Sequence, residues 1–484
     1  MSRPLAAALL VLGLLAAPAG AQDPGAERVK YRFGPIHITP GQNTIEIAPT
    51  TLRPDRAGWI TRFEPNLEFA DGSKPSVDVV HLHHGVWLVN GETRFAVGEE
   101  KTIVDLPDGF GFRYGPEQSW LVNYMIHNLT RGRHTVYITY TLDFVPETAP
   151  EAAGMKPVRT RWMDVAGPSG YPVFDALRGT GRNDRLTIPD DAPNLPGLGT
   201  QHTWTVARPT TLVSTAVHLH PGGLNGYLTV TRGGQTTRIF TSRANYYEPA
   251  GAVSWDVSMT ATPEDWRVAL LPGDVVKLHV VYDTKRASWY ESMGIMPISV
   301  VEDSTEGVDP FTGTLNQQGV LTHGRLEENR SPRGGQPTGL PNPLRLLDGP
   351  VGRSNVTIAG FVYGQGDLAL TGRRGRPPVM RPGQRLTFTN RDAQIAENGG
   401  IFHTITSCRL PCTGSGAINF PLADGPVTFD SGELGFGRGI TAAANRDTWQ
   451  TPATLRQGTY AYFCRVHPFM RGAFRVKAKR KRSA

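Results

Sequence analysis

Cys464-Arg465-Val466-His467-Pro468-Phe469-Met470 follows the run Tyr460-Ala461-Tyr462-Phe463, whose apolar and aromatic residues read as a strand. One thiol, one imidazole and one thioether thus share a short loop at a strand end. A second imidazole, His403, stands upstream in Ile401-Phe402-His403-Thr404-Ile405-Thr406. A Cys/His/His set with a weak axial Met is a blue-copper ligand set. Soft sulfur favours Cu(I), imidazole accepts both oxidation states, and such a site passes single electrons. His403, Cys464, His467 and Met470 are therefore candidate copper ligands.

Strand signals extend outward from this stretch over the whole chain. Val136, Ile138, Tyr140 and Leu142 alternate with Tyr137, Thr139 and Thr141. Val275-Val276, Leu278 and Val280-Val281-Tyr282 give a second apolar run, and Leu386-Thr387-Phe388-Thr389 a third. Turn residues such as Pro272-Gly273-Asp274 and Pro382-Gly383 precede such runs. With 55 Gly and 39 Pro in 484 residues, this pattern predicts an all-β chain of about three domains. The three Cys (408, 412 and 464) are too few for a disulfide framework.

Composition marks the boundaries. Arg3, the apolar run Leu5 to Ala17 and Ala19-Gly20-Ala21 read as a signal peptide over 1–21, which implies a secreted or periplasmic protein. A first β region covers 22–150 and ends in the Pro/Glu/Ala-rich stretch Pro146 to Pro150; a second covers 151–303. Residues 304–351, rich in Gly, Pro, Asn and Arg, read as a linker, followed by a third domain over 352–478 and a basic tail over 479–484. The net charge of +7 is mostly local: Arg3 lies in the signal, and Lys477, Lys479, Arg480, Lys481 and Arg482 crowd the tail. The body is near neutral and has no basic groove interleaved with aromatics, so no nucleic-acid partner is expected. No later apolar stretch is long enough for a transmembrane segment.

Three histidine features lie before the linker: Val79-Val80-His81-Leu82-His83-His84-Gly85, Asn123-Tyr124-Met125-Ile126-His127-Asn128, and Val217-His218-Leu219-His220-Pro221. Residues i and i+2 of a strand face the same way, so His218 can converge with His220 on one metal, and His81 with His83. Adjacent His83 and His84 need a bulge or a strand end to do so, which Gly85 can provide.

Residues 352–478 resemble the cupredoxins, with Cys-x-x-His-x-x-Met and its Pro-Phe similar to the plastocyanin/amicyanin type and Phe429-Asp430-Ser431-Gly432 similar to a cupredoxin strand. The resemblance implies a Greek-key β-sandwich with His403, Cys464, His467 and Met470 around a type 1 copper. An insertion between His403 and Phe429 departs from the family; its Cys408-Arg409-Leu410-Pro411-Cys412 either closes a small disulfide or leaves two thiols.

Residues 30 to 303 resemble the copper type II, ascorbate-dependent monooxygenases, the family of peptidylglycine and dopamine monooxygenases. That likeness implies two tandem β-sandwich domains, each with a mononuclear copper. His83, His84 and His127 look like the first ligand set. His218 and His220 look like the second, with Met293 as its thioether and Met296 as runner-up. His81 is a rival to His84. The region lacks Cys, and Gly85 stands where the family has Met. The segment from His83 through Val97-Gly98-Glu99 and Pro107-Asp108-Gly109 also resembles plant stress-upregulated nodulin-type proteins.

These resemblances imply an exported copper-dependent monooxygenase. It would use O2, an organic substrate and an external electron donor such as ascorbate or a redox protein, with the cupredoxin domain supplying electrons. The alternative is a non-enzymatic copper-binding or electron-transfer protein with only the cupredoxin copper active. A multicopper oxidase fits less well, because Phe463 and Arg465, not His, flank Cys464.

Overall fold

In a computed structural model, residues 25–167, 171–192, 200–247, 256–285, 287–329, 339–394, 400–412, 427–435 and 446–478 are described. The expected signal peptide and the basic tail from 479 onward lie outside them. Among the described residues no helix is long and apolar enough to cross a membrane. The chain is all-β, built of several sheets that pair into layers.

The first region holds β1 (Glu27–Ile38), β2 (Ile45–Thr50), β3 (Gly58–Phe69), β4 (Val80–Val89) and β5 (Glu92–Gly98). It continues with β6 (Val104–Asp105), β7 (Phe110–Tyr114), β8 (Trp120–Asn128) and β9 (His134–Pro146). One sheet has the order β1-β9-β3-β7 and the other β2-β8-β4-β5. Alternation decides the packing: Val136, Ile138, Tyr140 and Leu142 of β9 are all fully buried against the facing sheet. Stacked Phe63 and Phe95, with Trp87 edge-on to Phe63, fill the space between the layers.

The second region begins with β10 (Lys156–Pro157), which pairs in parallel with β7 and so extends the first region's sheet. There follow β11 (Arg159–Arg161), β12 (Phe174–Ala176), β13 (Arg185–Ile188), β14 (Thr203–Thr205) and β15 (Thr210–Thr215). Next come β16 (His218–Leu219), β17 (Gly223–Arg232), β18 (Gln235–Tyr246), β19 (Val257–Ala261) and β20 (Val268–Leu270). The region closes with β21 (Val275–Asp283), β22 (Trp289–Ser292), β23 (Gly294–Ile295), β24 (Ile298–Glu302) and β25 (Val320–Leu321). The sheets β11-β24-β15-β20 and β13-β21-β17-β18-β19-β25 enclose a core with Leu212, Leu228, Phe240, Trp266 and Leu278.

Residues 304–351, which composition marks as a linker, are in part a strap. β25 pairs with β19, and Arg232 holds Asp274 and Asp309. Thr322 Oγ1 donates to the Glu100 carbonyl at 3.0 Å, and Glu328 pairs with Lys101 of the first region. Gly- and Pro-rich composition reports the lack of long strands, not the lack of packing; here polar side chains do the anchoring.

The third region contains β26 (Asn355–Ile358), β27 (Val379–Met380), β28 (Thr387–Asn390), β29 (Thr406–Cys408), β30 (Thr448–Gln450), β31 (Gly458–Phe463) and β32 (Arg471–Val476). β26 pairs with β28, and β27 with β32, in parallel, so these connections cross over instead of forming hairpins. Phe388, Tyr462 and Phe474 pack between the sheets β26-β28-β30 and β27-β32-β31-β29. Cys408 and Cys412 form a disulfide, so of the two alternatives left open by the insertion the paired one holds.

Candidate metal centre

The C-terminal site is assembled by one hairpin and one outside strand end. β31 delivers Cys464, and the turn into β32 carries His467 and Met470, closed by the Met470 N–H donating to the His467 carbonyl at 2.9 Å. His403 enters from a bridge with Leu434. Cys464 Sγ lies 3.9 Å from His403 Nδ1 and 3.8 Å from His467 Nδ1, and the two Nδ1 atoms lie 3.2 Å apart. All four candidate ligands are buried, Met470 included.

The surroundings of the sulfur suit a metal-bound thiolate. The backbone N–H groups of Thr404 and His467 both donate to Cys464 Sγ at 3.3 Å. His403 Nε2 donates to Asp392 Oδ2 at 2.9 Å, which leaves Nδ1 facing the sulfur. Burial alone would raise the Asp392 carboxyl, but hydrogen bonds from His403 and from the N–H groups of Phe361 and Gly360 hold it lower. Burial pushes His467 well below the usual imidazole range, so its lone pair is available.

Upstream, β4 and β8 place His81 opposite His127. His81 Nδ1 donates to the Val77 carbonyl at 2.9 Å, so the neutral ring turns its Nε2 lone pair toward His127 Nδ1, 3.2 Å away. His83 Nδ1 contacts the Glu99 carboxylate. Ring nitrogens of His81, His83 and His127 and a Glu99 oxygen all lie within 4.8 Å of one another.

This differs from the expected set of His83, His84 and His127. Alternation on β4 puts His81 beside His83, and a register shift between Leu82 and His84 turns His84 elsewhere. His84 Nε2 instead lies 3.2 Å from His220 Nε2 in the second region. His220 Nδ1 donates to the Glu291 carbonyl at 2.6 Å, which leaves its Nε2 lone pair pointing at His84.

His218, one strand step away, donates from Nδ1 to Glu100 Oε2 at 2.9 Å. Its buried Nε2 has no hydrogen-bond partner among the described residues, and neither does Glu99 Oε2. Gly98 makes this approach possible, because a Cβ there would sit 2.3 Å from His218 Nδ1. Tyr282 locks the loop: its hydroxyl accepts from the His220 N–H at 3.1 Å and donates to the Met293 carbonyl at 2.5 Å.

Burial and the neighbouring imidazoles hold His83, His84 and His127 well below the usual range, and burial pushes His220 down to about 4. Burial would also lower His218 and raise Glu100, but their contact reverses both. The buried cluster therefore offers mainly neutral imidazoles with carbonyl or carboxylate acceptors behind them, the arrangement seen behind metal-bound histidines.

A cleft of about 2080 Å³ opens on this cluster, lined by His84, His218, Met293, Trp162, Tyr171 and Ile295 among others. Met293 thus faces the cleft, whereas Met296 is fully buried in the core of the second region. Glu99, Glu100, Asp392 and Tyr282 carry no signal of their own in the sequence. Only the adjacency of Glu99-Glu100 to the end of β5 hints at two of them.

The third region docks onto both others. Arg131 donates to the Phe361 carbonyl at 2.9 Å, and the Phe361 ring packs edge-on against His403 and His467. Gly41, at φ +65°, is needed there, since a Cβ would meet Phe361 and Ile401 at 2.8 Å. On the other side Arg465 donates to the Ser288 carbonyl at 2.8 Å and to Asp430 Oδ2 at 2.7 Å.

The chain is thus an all-β protein of several sheets with buried His and Cys clusters of metal-ligand geometry. No family model matches it, and no curated protein matches it in sequence. Among solved structures, it is similar to a purple cupredoxin from Nitrosopumilus maritimus (19% identity, 26% of this chain and 99% of that one, TM-score 0.16). It is also similar to a copper-containing nitrite reductase from Thermus scotoductus SA-01 (11% identity, 83% and 88% covered, TM-score 0.18). A third similar structure is PNGase F, a glycosylasparaginase from Flavobacterium meningosepticum (7% identity, 61% and 99% covered, TM-score 0.28). Likenesses at these TM-scores carry no functional weight, so the chemistry is read from this chain's own residues.

Proposed function

We propose that this chain is an exported copper-dependent oxidoreductase that uses O2 as a monooxygenase, with the cupredoxin-like site as its internal electron inlet. One observation carries the reading: the thiolate site and the upstream histidines are joined by a continuous path of covalent bonds and two hydrogen bonds. Arg465, next to Cys464, donates to the Ser288 carbonyl; three residues on, the Glu291 carbonyl accepts from His220 Nδ1. Copper, when bound, supplies one-electron redox chemistry and a place for O2 to be reduced.

The residues supply the rest. Asp392, Glu99, Glu100 and the Val77 and Glu291 carbonyls orient the imidazoles, and burial keeps most of those rings neutral. The apolar cleft walls beside His84 and His218, with Trp162, Met293 and Ile295, suit an organic substrate presenting a C–H bond. Hydroxylation consumes the substrate, O2, two electrons and two protons and yields alcohol and water. The electrons come one at a time from an external donor, ascorbate or a redox protein.

The test is rapid mixing of the reduced, copper-loaded chain with O2. The thiolate band is expected to return as O2 is consumed. In Arg465→Leu, reoxidation should slow with the band and copper content unchanged. A thiolate site that stays reduced in air in the wild type sinks the proposal. A second reading, an electron carrier with one copper, is favoured by the self-contained C-terminal ligand set. It expects about one copper per chain where the monooxygenase reading expects about three.

A further inference from the structure

We infer that the imidazoles of the first two regions hold one multinuclear copper centre, shared between the regions through His83, in place of two independent mononuclear sites. His83 belongs to both ligand groups: one with His81, His127 and Glu99, the other with His84 and His220. Its ring centroid lies 4.0 Å from those of His127 and His84 and 4.7 Å from that of His220.

Sharing needs both ring nitrogens of His83, so its remaining ring proton must leave as the second ion binds; the Glu99 carboxylate against Nδ1 is placed to take it. Two metal ions that share one imidazolate sit within roughly 6 Å of each other, since metal–imidazole bonds are about 2 Å. The lone pairs support the same assignment. Carbonyl acceptors fix the N–H on Nδ1 of His81 and of His220, so each ring turns Nε2 inward, toward His127 and His84 respectively. The Glu100 carboxylate does the same for His218, whose buried Nε2 has no hydrogen-bond partner among the described residues.

The inward-facing nitrogens of His81, His220 and His218 thus present lone pairs to a cluster whose ligand atoms lie within 4.8 Å of one another in each group, a spacing that metal ions can bridge. The His84–His220 contact also makes the centre depend on both regions. Neither region alone holds the second ligand group, since His83 and His84 come from β4 and His220 from the loop after β16.

The inference rests on the copper reading proposed for this chain, and its test separates the two. Total copper is measured on the oxidised, copper-loaded wild-type chain and compared with the integrated Cu(II) spin. A coupled pair is silent or weak in spin resonance, so the visible spin is expected to fall to about one third of the copper, that of the thiolate site. His220→Ala should lose one ion and free the partner ion from coupling, so that spin and copper become equal. Near-ultraviolet circular dichroism and the intact thiolate band confirm that this variant is folded. Full spin for every copper in the wild type overturns the shared centre and leaves the copper reading standing. Only one copper per chain overturns both.

Discussion

The two metal-ligand clusters are built in opposite ways. In the C-terminal one, Cys464, His467 and Met470 sit within seven residues on a single β-hairpin, and only His403 comes from outside it. In the upstream one, six imidazoles arrive from β4, β8 and β16 and the loop that follows, across two regions of the chain. The first needs a hairpin and one sandwich to exist. The second needs a docked interface, with Gly98 allowing His218 in and residues 304–329 strapping across from Glu100 and Lys101. A local site tolerates changes elsewhere, whereas an interfacial site inherits every weakness of the contact that makes it.

That contrast can be broken first at the sulfur. Cys464→Ser should abolish the intense thiolate-to-copper absorption altogether while copper at the upstream histidines is retained, measured by optical spectra and metal analysis. Loss of the upstream copper as well would mean that the two clusters are not separable. A somewhat smaller effect is expected at the interface. In Gly98→Ala the added methyl meets His218 Nδ1 at 2.3 Å, and overpacking of this kind costs about 1–3 kcal/mol. The upstream copper should weaken or leave while the thiolate band keeps its full intensity. An unchanged copper count in this variant would show that His218 is not a ligand.

The smallest effect sharpens the local half of the comparison. Asp348, before the third region, pairs with Lys477 at 2.7 Å and also with Arg475 of β32. Burial would raise its carboxyl, but the hydrogen bonds from Lys477 and Arg475 hold it below the usual range. A carboxyl depressed in the folded state contributes stability above its unfolded pKa and loses it as pH falls through the lower folded value. Asp348→Asn should therefore cost less than about 1 kcal/mol at neutral pH, because the pair is half exposed. The difference should shrink and vanish as pH falls below the usual carboxylate range, followed by urea unfolding with tryptophan fluorescence as the probe. A loss that persists in acid would assign the effect to something other than this charge pair.

Much of the molecule is legible in the chain. Period-two alternation marks β9, because a strand buried on one face must alternate, while continuous apolar or aromatic runs mark β21 and β31. Cys464, His467 and Met470 are readable as ligands because their spacing is local. The upstream histidines are readable as candidates but not in their partnerships. His81 takes the place expected for His84, since a bulge shifts the alternation by a residue, and no spacing announces a bulge of that kind. The strap over 304–329 reads as linker because its anchors are single polar side chains with no period at all.

By itself, then, the sequence determined the all-β class, the hairpin candidates of the C-terminal site and the set of histidines that could bind metal. These depend on period and on neighbours a few residues apart. Only the tertiary structure decided that His84 meets His220, that His83 stands in both groups, and that Arg465 reaches the strand leading to His220. The His84–His220 and Arg465–Ser288 contacts join residues more than a hundred positions apart, and they follow from how the regions dock, through shape and hydrogen bonding that no local pattern encodes.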